Sequence, residues 1–173
     1  SLMSLDNNYL ISFVIGTRPE AIKLAPLILE FRKSKKIKTN IILSGQHNEM
    51  IQPVMDIFNL EEDVNFDVLG RSNSLEQTTS LILNELSNYF DKIKPDLVFV
   101  QGDTITAFAG ALSAFFKKIP IAHVEAGLRT KSIFSPFPEE ANRRMISQLT
   151  SLHFAPTELA YENLLKNGIK KDI

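Results

Sequence analysis

Basic and acidic side chains that could bind and transform an anionic substrate stand at five positions of this 173-residue chain. Arg18 and Lys23 follow the first apolar run, Asp103 follows the fourth, Glu125 follows the fifth directly, and Glu139 begins a later helical pattern. Guanidinium and ammonium groups bind phosphate oxygens well. Carboxylates at the end of a buried strand can have a raised pKa, which prepares them for proton transfer. The pattern therefore indicates an anion site served by acid/base groups.

The turn GTRPEAIK stands where a dinucleotide-binding protein would place a glycine-rich turn, yet it contains one glycine, Gly16. Three glycines let the backbone approach a pyrophosphate closely, so with one glycine the side chains must hold the anion. Arg18 offers a planar fork and Lys23 a point charge. Thr17 and Glu20 are predicted to form a capping box at the start of the helix. A solvated Arg18 and Lys23 beside an ordinary cap fit the pattern equally well.

Two of the carboxylates also have a structural interpretation. Asp103 could cap the helix that follows it, because Asp is a favoured residue at that position. Glu125 could form an ion pair with Arg129 in the same loop. A glutamate placed directly after the buried-looking run IAHV is harder to explain in that way, since partial burial would raise its pKa. Both residues stay candidates for acid/base chemistry.

The stretch PEEANRR places Glu139 and Glu140 each four residues before an arginine, Arg143 and Arg144. That spacing is typical of surface salt bridges on a helix. We expect this interpretation to hold for Glu140, which should point away from any residue that faces a ligand cleft. Glu139 remains a candidate acid/base group.

The order of elements predicts an α/β fold. Six apolar runs predict strands at 10–15, 40–43, 64–69, 97–100, 121–124 and 152–155. The patterns between and after them predict helices near 19–33, 49–58, 75–93, 104–118, 139–150 and 157–167, the third beginning with a capping box formed by Ser74 and Gln77. Strands separated by single helices predict a doubly wound, mostly parallel sheet. Ligands bind such sheets at the carboxyl ends of the strands, where the candidate residues fall.

Composition excludes several classes of function. Nineteen basic and twenty acidic residues leave a net charge of -1, which gives no electrostatic case for a nucleic acid or an anionic membrane as partner. The absence of cysteine excludes disulfides and thiolate chemistry and agrees with a cytoplasmic location. We expect no metal and no transmembrane segment. We expect residues 1–8 to be disordered, with Ser1 and Leu2 left by cloning before a natural start at Met3, and residues 9–173 to form one domain.

Several long motifs resemble one family. They are GTRPEAIKLAPL, GQHNEM, KPDLVFVQGDTITAFAGALSAF, IPIAHVEAGLRT and SPFPEEANRRMISQLTSLHFAPTELAYENL, and they cover residues 11–168. Together they resemble the N-terminal domain of the non-hydrolysing UDP-N-acetylglucosamine 2-epimerases. The resemblance implies a Rossmann-like domain that forms one half of a two-domain architecture of the glycosyltransferase-B type. It also implies that the C-terminal domain is absent from this chain, so we expect the chain alone to be inactive.

The resemblance assigns roles to single residues. It places the phosphate-side basic pair on Arg18 and Lys23 and the three functional carboxylates on Asp103, Glu125 and Glu139. A second, regulatory UDP-GlcNAc would contact the GQH loop and a later arginine. In this sequence those regulatory contacts would be Gln46, His47 and Arg71.

The family reaction interconverts UDP-GlcNAc and UDP-ManNAc by elimination and re-addition of UDP, without a cofactor. It serves polysaccharide biosynthesis, and the full-length proteins are commonly homodimers. Two alternatives stay open: a hydrolysing relative that releases free ManNAc and UDP, and a nucleotide-sugar-binding module without turnover. The GTRPE and QGDT motifs favour the non-hydrolysing branch.

Overall fold

The computed structural model describes residues 8–47, 50–124 and 130–168. Its strands are β1 (Tyr9–Ile15), β2 (Ile37–Leu43), β3 (Val64–Asn65), β4 (Leu97–Gln101), β5 (Ile121–Val124) and β6 (Leu152–His153). Its helices are α1 (Arg18–Arg32), α2 (Gln52–Ile57), α3 (Leu75–Ile93), α4 (Ile105–Phe116), α5 (Glu139–Leu149) and α6 (Glu158–Asn167). The six strands and six helices expected from the sequence are thus confirmed within these ranges.

The six strands form one parallel sheet in the order β3-β2-β1-β4-β5-β6. From β1 the chain moves outward to β2 and β3, then returns to place β4 on the other side of β1. This arrangement confirms the doubly wound α/β fold. It also puts a topological switch point between β1 and β4, where a crevice for ligands opens beyond the carboxyl ends of the strands.

The sheet is buried on both faces. On one face, Phe13 and Phe99 stack at 5.1 Å between ring centroids and pack with Phe31 of α1. On the other face, Val14 and Val98 pack among side chains of α3, α4 and α5. Burial on both faces explains why the strands appear in the sequence as continuous apolar runs without alternation.

Helix α3 begins as the sequence predicts, whereas the third strand is shorter than expected. The Gln77 amide donates a hydrogen bond to Ser74 Oγ at 3.1 Å, which forms the expected cap. The predicted strand at 64–69 ends at Asn65 because the Asn65 side chain accepts the amide of Asp67 at 2.9 Å. Asp67 turns into the left-handed region with φ of 51°, and Val68–Arg71 form a 3-10 turn. The side-chain bond of Asn65 stabilises this turn, although the amides of Phe66 and Val68 still donate to the carbonyls of Leu43 and Ser44.

None of the helices in the described ranges combines the length and the apolarity that crossing a membrane requires.

Candidate active site at the carboxyl edge of the sheet

Gly16 ends β1 at the switch point, and its surroundings explain why this position needs glycine. A Cβ atom there would lie 2.1 Å from Thr106 Oγ1 and 2.5 Å from Thr106 Cβ. Both distances are far below van der Waals contact, and Thr106 lies in the first turn of α4, fully buried. The lone glycine of GTRPE thus lets α4 pack against the turn after β1, a structural role independent of any ligand.

Glu20 joins the turns that follow β1 and β4. Its Oε2 atom accepts hydrogen bonds from the Gly16 amide at 3.1 Å and from the Thr17 hydroxyl at 2.7 Å. Its Oε1 atom accepts a hydrogen bond from the Thr104 hydroxyl at 3.0 Å. The capping box is therefore only partly formed, because the Thr17 side chain donates to Glu20 and accepts no amide of the helix. Glu20 is buried, which its interpretation as an ordinary cap did not predict.

Burial raises the pKa of Glu20 to about 7. Desolvation of the carboxylate is the largest cause, and the hydrogen bonds from the Thr17 and Thr104 hydroxyls and the Gly16 and Thr17 amides oppose it. Spacing alone could not reveal the burial of Glu20 against Thr104, since 84 residues of sequence separate the two. The neutral and charged forms of Glu20 thus have similar populations near neutral pH.

The two predicted phosphate-binding residues lie on α1 with free side chains. Arg18 is the first residue of α1 and Lys23 lies in its second turn, and both are exposed. Within the described ranges, neither side chain forms a hydrogen bond or an ion pair. The positive end of the α1 dipole lies beside Arg18 and adds to the attraction for an anion. The Arg18 side chain in particular is accessible to an anionic ligand at the switch point.

Asp103 follows β4, next to Gly102, whose φ of 74° turns the chain. The alternative that Asp103 caps α4 is wrong, because Thr104 does so by accepting the Ala107 amide at 3.0 Å. The Asp103 carbonyl accepts a hydrogen bond from Asn142 Nδ2 at 3.1 Å, which ties this turn to α5. The Asp103 carboxylate accepts no hydrogen bond from another residue of the described ranges. It is therefore available to a substrate.

Asp103 and Glu139 are brought together although 36 residues separate them in the sequence. The pKa of Asp103 is raised, first by burial and then by the negative charge of Glu139, with Arg143 acting in the opposite direction. Glu139 begins α5, is half-buried, and forms no ion pair within the described ranges. The predicted alternative of a salt bridge from Glu139 to Arg143 is not formed. Two carboxylates without partners thus face the same part of the edge.

Glu140 has a different environment from the one expected. The sequence predicts an exposed salt bridge, but Glu140 is buried and accepts bonds from Arg143 at 2.6 and 3.1 Å and from Arg144 at 2.9 Å. The hydrogen bond from Arg143 outweighs burial and lowers the pKa of Glu140 to about 2. Arg144 also donates to the Thr130 carbonyl at 2.9 Å. The cluster holds α5, and hence Glu139, in a fixed orientation.

The three predicted regulatory contacts divide into two places. Gln46 is half-buried beyond β2, where its Oε1 accepts a bond from the Thr106 hydroxyl at 2.6 Å. His47 is exposed, and its amide donates to the Gly16 carbonyl at 3.2 Å. Arg71 instead donates to the Phe66 carbonyl at 2.6 Å and pairs with Glu85 at 3.3 Å. The structure thus brings Gln46 and His47 to the turn after β1, whereas Arg71 is held beside α3.

Some predicted residues do not contribute to the geometry of the site. Glu125 and Arg129 lie outside the described residues. His123 is buried, with Nε2 at 2.7 Å from the Gly102 carbonyl oxygen, whereas His153 is exposed. Within the ranges described, no three His, Cys, Asp or Glu side chains come together in a way that could hold a metal ion.

Comparison with known proteins identifies a family for this chain. The family model described as UDP-N-acetylglucosamine 2-epimerase matches residues 29–173. The curated UDP-N-acetylglucosamine 2-epimerase of Bacillus subtilis is 48% identical over 159 residues, which are 92% of this chain and 42% of that protein. The chain thus spans less than half the length of this relative.

Solved structures are similar as well. The UDP-GlcNAc 2-epimerase of Neisseria meningitidis bound to UDP-GlcNAc is 45% identical with a TM-score of 0.81, covering 94% of this chain and 44% of that one. The enzyme of Methanocaldococcus jannaschii in complex with UDP-GlcNAc and UDP is 41% identical with a TM-score of 0.78, covering 94% and 44%. The chain therefore belongs to the UDP-N-acetylglucosamine 2-epimerase family, of which it represents the N-terminal portion.

Proposed function

We propose that the full-length protein containing this chain interconverts UDP-GlcNAc and UDP-ManNAc without net hydrolysis. The observation that carries the proposal is the proximity of Asp103 and Glu139, two carboxylates without partners in the described ranges, at the sheet edge where the exposed Arg18 begins α1. Relatives in solved structures bind UDP-GlcNAc and UDP. This chain would supply one wall of the site and the remaining part of the protein the other.

The chemistry explains why the site needs both cations and carboxylates. The hydrogen on carbon 2 of the sugar is scarcely acidic, because no carbonyl stands beside it. As the bond from carbon 1 to UDP breaks, positive charge develops on the ring and a carboxylate can remove that proton. The electron pair of the broken C–H bond forms the double bond between carbons 1 and 2, and UDP departs with the electron pair of its own bond.

The reverse steps complete the epimerisation, with the proton alone returning on the other face. A proton returns to carbon 2 from the opposite side, and UDP adds again to carbon 1, so no atom is gained or lost. Asp103, Glu139 and Glu125 supply the acid/base groups of this scheme, and the raised pKa of Asp103 makes its carboxylate a stronger base than an unperturbed aspartate. Arg18 and Lys23 offset the charge that grows on the departing diphosphate.

The other predictions about the whole protein belong with this proposal. Gln46, His47 and Arg71 remain the predicted contacts of a regulatory nucleotide sugar. The homodimer and the cytoplasmic location also remain predictions.

The first test is turnover by the full-length protein. Incubation with UDP-GlcNAc should yield UDP-ManNAc without accumulation of free ManNAc, and in D2O the product should carry deuterium at carbon 2. Free ManNAc formed in an amount equal to UDP would instead identify a hydrolysing enzyme. Tight binding of UDP-GlcNAc with no product at all would identify a binding module.

Variants then test the residues. We expect Asp103→Asn, Glu125→Gln and Glu139→Gln each to lower kcat by at least ~100-fold, because each removes an acid/base group. Glu158→Gln is a matched control for Glu139→Gln, since Glu158 is likewise the first residue of a helix but is exposed on α6. The control should keep the wild-type rate. An unchanged kcat in Asp103→Asn or Glu139→Gln would contradict the assignment of that residue.

A further inference from the structure

Glu20 lies at the point where the turns after β1 and β4 meet, and its two oxygen atoms serve different turns. Oε2 accepts from the Gly16 amide and the Thr17 hydroxyl, at 3.1 and 2.7 Å. Oε1 accepts from the Thr104 hydroxyl at 3.0 Å. One carboxylate thus joins two turns that are far apart in the sequence.

Each bridged residue is the chain neighbour of a residue that the proposed reaction uses. Thr17 precedes Arg18, the candidate diphosphate ligand, and Thr104 follows Asp103, a candidate acid/base group. The bridge therefore fixes the separation between the anion-binding turn and the proton-transfer turn. Such a separation matters because a misplacement of about 1 Å in a reacting geometry can lower a rate by roughly 100-fold.

The position of Glu20 excludes direct contact with the substrate. Its relative accessibility is 1%, and both of its oxygens point at donors within the protein. By contrast, Arg18 is exposed and Asp103 is half-exposed at the edge. Glu20 thus acts through the turns that it joins.

Glu20 is poorly suited to a role in stability alone. Desolvation dominates its environment and raises its pKa to about 7, so burying the charged form costs stability. Glu140 shows the contrasting solution in the same chain, with two arginines as partners. Glu20 combines costly burial with bonds to both functional turns, which favours a role in geometry.

We propose that Glu20 is a positioning residue that sets the distance between Arg18 and Asp103, and so aligns the bound diphosphate with the proton-transfer centre. The effect of Glu20 on catalysis, as inferred here, rests on the proposed function. Its structural part, the coupling of the two turns, stands on the hydrogen bonds alone.

The experiment compares full-length wild type, Glu20→Gln and Glu30→Gln. Gln keeps the size of the side chain but loses an acceptor, so the link between the turns loosens. We expect kcat of Glu20→Gln to fall by about 10-fold or more, with the KM for UDP-GlcNAc changed by less than about 3-fold, since Arg18 still binds phosphate. Glu30 lies on the same helix, half-exposed and paired with Lys33, so Glu30→Gln should behave as wild type.

A second measurement does not depend on turnover. Hydrogen exchange of the amides at 16–18 and at 102–104 should accelerate together in Glu20→Gln, by roughly 10-fold, and should not change in Glu30→Gln. If the wild type shows no epimerase activity, the proposed function fails and the exchange data alone decide whether Glu20 couples the turns.

Two outcomes would overturn the inference. One is a kcat of folded Glu20→Gln within about twofold of wild type. The other is faster exchange at 16–18 with none at 102–104. Should Glu20→Gln fail to fold, Thr104→Val and Thr104→Ser decide instead, because Val removes the hydroxyl that reaches Glu20 and Ser keeps it. Equal kcat values for those two variants would then refute the inference.

Discussion

Two buried glutamates in this chain have opposite electrostatic environments. Within the described ranges Glu20 accepts hydrogen bonds only from hydroxyls and amides, and burial raises its pKa to about 7. Glu140 accepts bonds from the guanidinium groups of Arg143 and Arg144, and its pKa falls to about 2. Both side chains are almost inaccessible to solvent, but the largest cause of the pKa shift differs: it is desolvation for Glu20 and the hydrogen bond from Arg143 for Glu140.

The difference teaches how this fold uses carboxylates near its functional edge. Glu140 should support folding above its unfolded pKa of 4.5, and this support should disappear as the pH falls toward 2. Glu20 should do the reverse, since its folded pKa lies above its unfolded one, and its contribution is lost as the pH rises through 7. Glu140 thus stabilises α5 in its charged form, whereas burial of charged Glu20 lowers stability.

The largest effect should come from breaking the ion cluster on α5. Arg143→Met leaves the buried Glu140 with the half-exposed Arg144 as its remaining cationic partner in the described ranges, and we expect Tm to fall by roughly 10 °C. The control is Lys33→Met, which breaks an exposed pair of the same three-residue spacing with Glu30. It should shift Tm by about 2 °C or less. Thermal unfolding followed by circular dichroism measures both, and equal shifts would contradict the contrast between buried and exposed pairs.

The pH dependence of Glu20 should give the next largest effect. The folded state keeps the Glu20 proton up to about pH 7 while the unfolded chain releases it near 4.5, so the free energy of unfolding should fall by about 3 kcal/mol across this window. Glu20→Gln has no proton to release, and its curve should lack this fall. Urea unfolding of wild type and variant from about pH 4.5 to about pH 8 measures the difference. Parallel curves would show that burial does not raise the pKa of Glu20.

The smallest effect should separate a helix cap from a bridge between turns. Thr104 caps α4 and also donates to Glu20, whereas the exposed Thr157 only caps α6, accepting the Ala160 amide at 3.2 Å. Thr157→Val should cost about 1 kcal/mol, the usual value of a cap. Thr104→Val should cost about 1 kcal/mol more, because Glu20 loses a donor in a buried place. Denaturant unfolding compares them, and equal losses would mean that the bridge adds no stability.

The fold was predictable from the sequence because its signals are local and repeated. Strands buried on both faces produce apolar runs, and Ser74 and Gln77 mark the start of α3 by spacing alone. The third strand was predicted too long because the Asn65 side chain accepts a hydrogen bond from the Asp67 amide. The presence of an asparagine in a β-like run is not enough to predict that bond. The end of that strand depends on one side-chain rotamer.

The site was predictable in its residue types and not in its internal connections. The placement of Arg18 and Asp103 after β1 and β4 follows from the topology of a doubly wound sheet. The roles of Glu20 and Glu140 depend on which side of a helix is covered, and spacing alone predicted an ordinary cap for Glu20 and a surface salt bridge for Glu140. Their partners make the difference: Thr104 lies 84 residues from Glu20, while Arg143 and Arg144 lie within one turn of Glu140.

The contact between Gly16 and Thr106 has a consequence for how related sequences can diverge. No side chain larger than hydrogen fits at position 16 while threonine occupies position 106, because the added carbon would overlap the threonine. A change at position 16 would therefore be tolerated only after position 106 had become smaller. Across an alignment of the family, the two positions should show correlated substitution, with residue 106 changing first along each lineage.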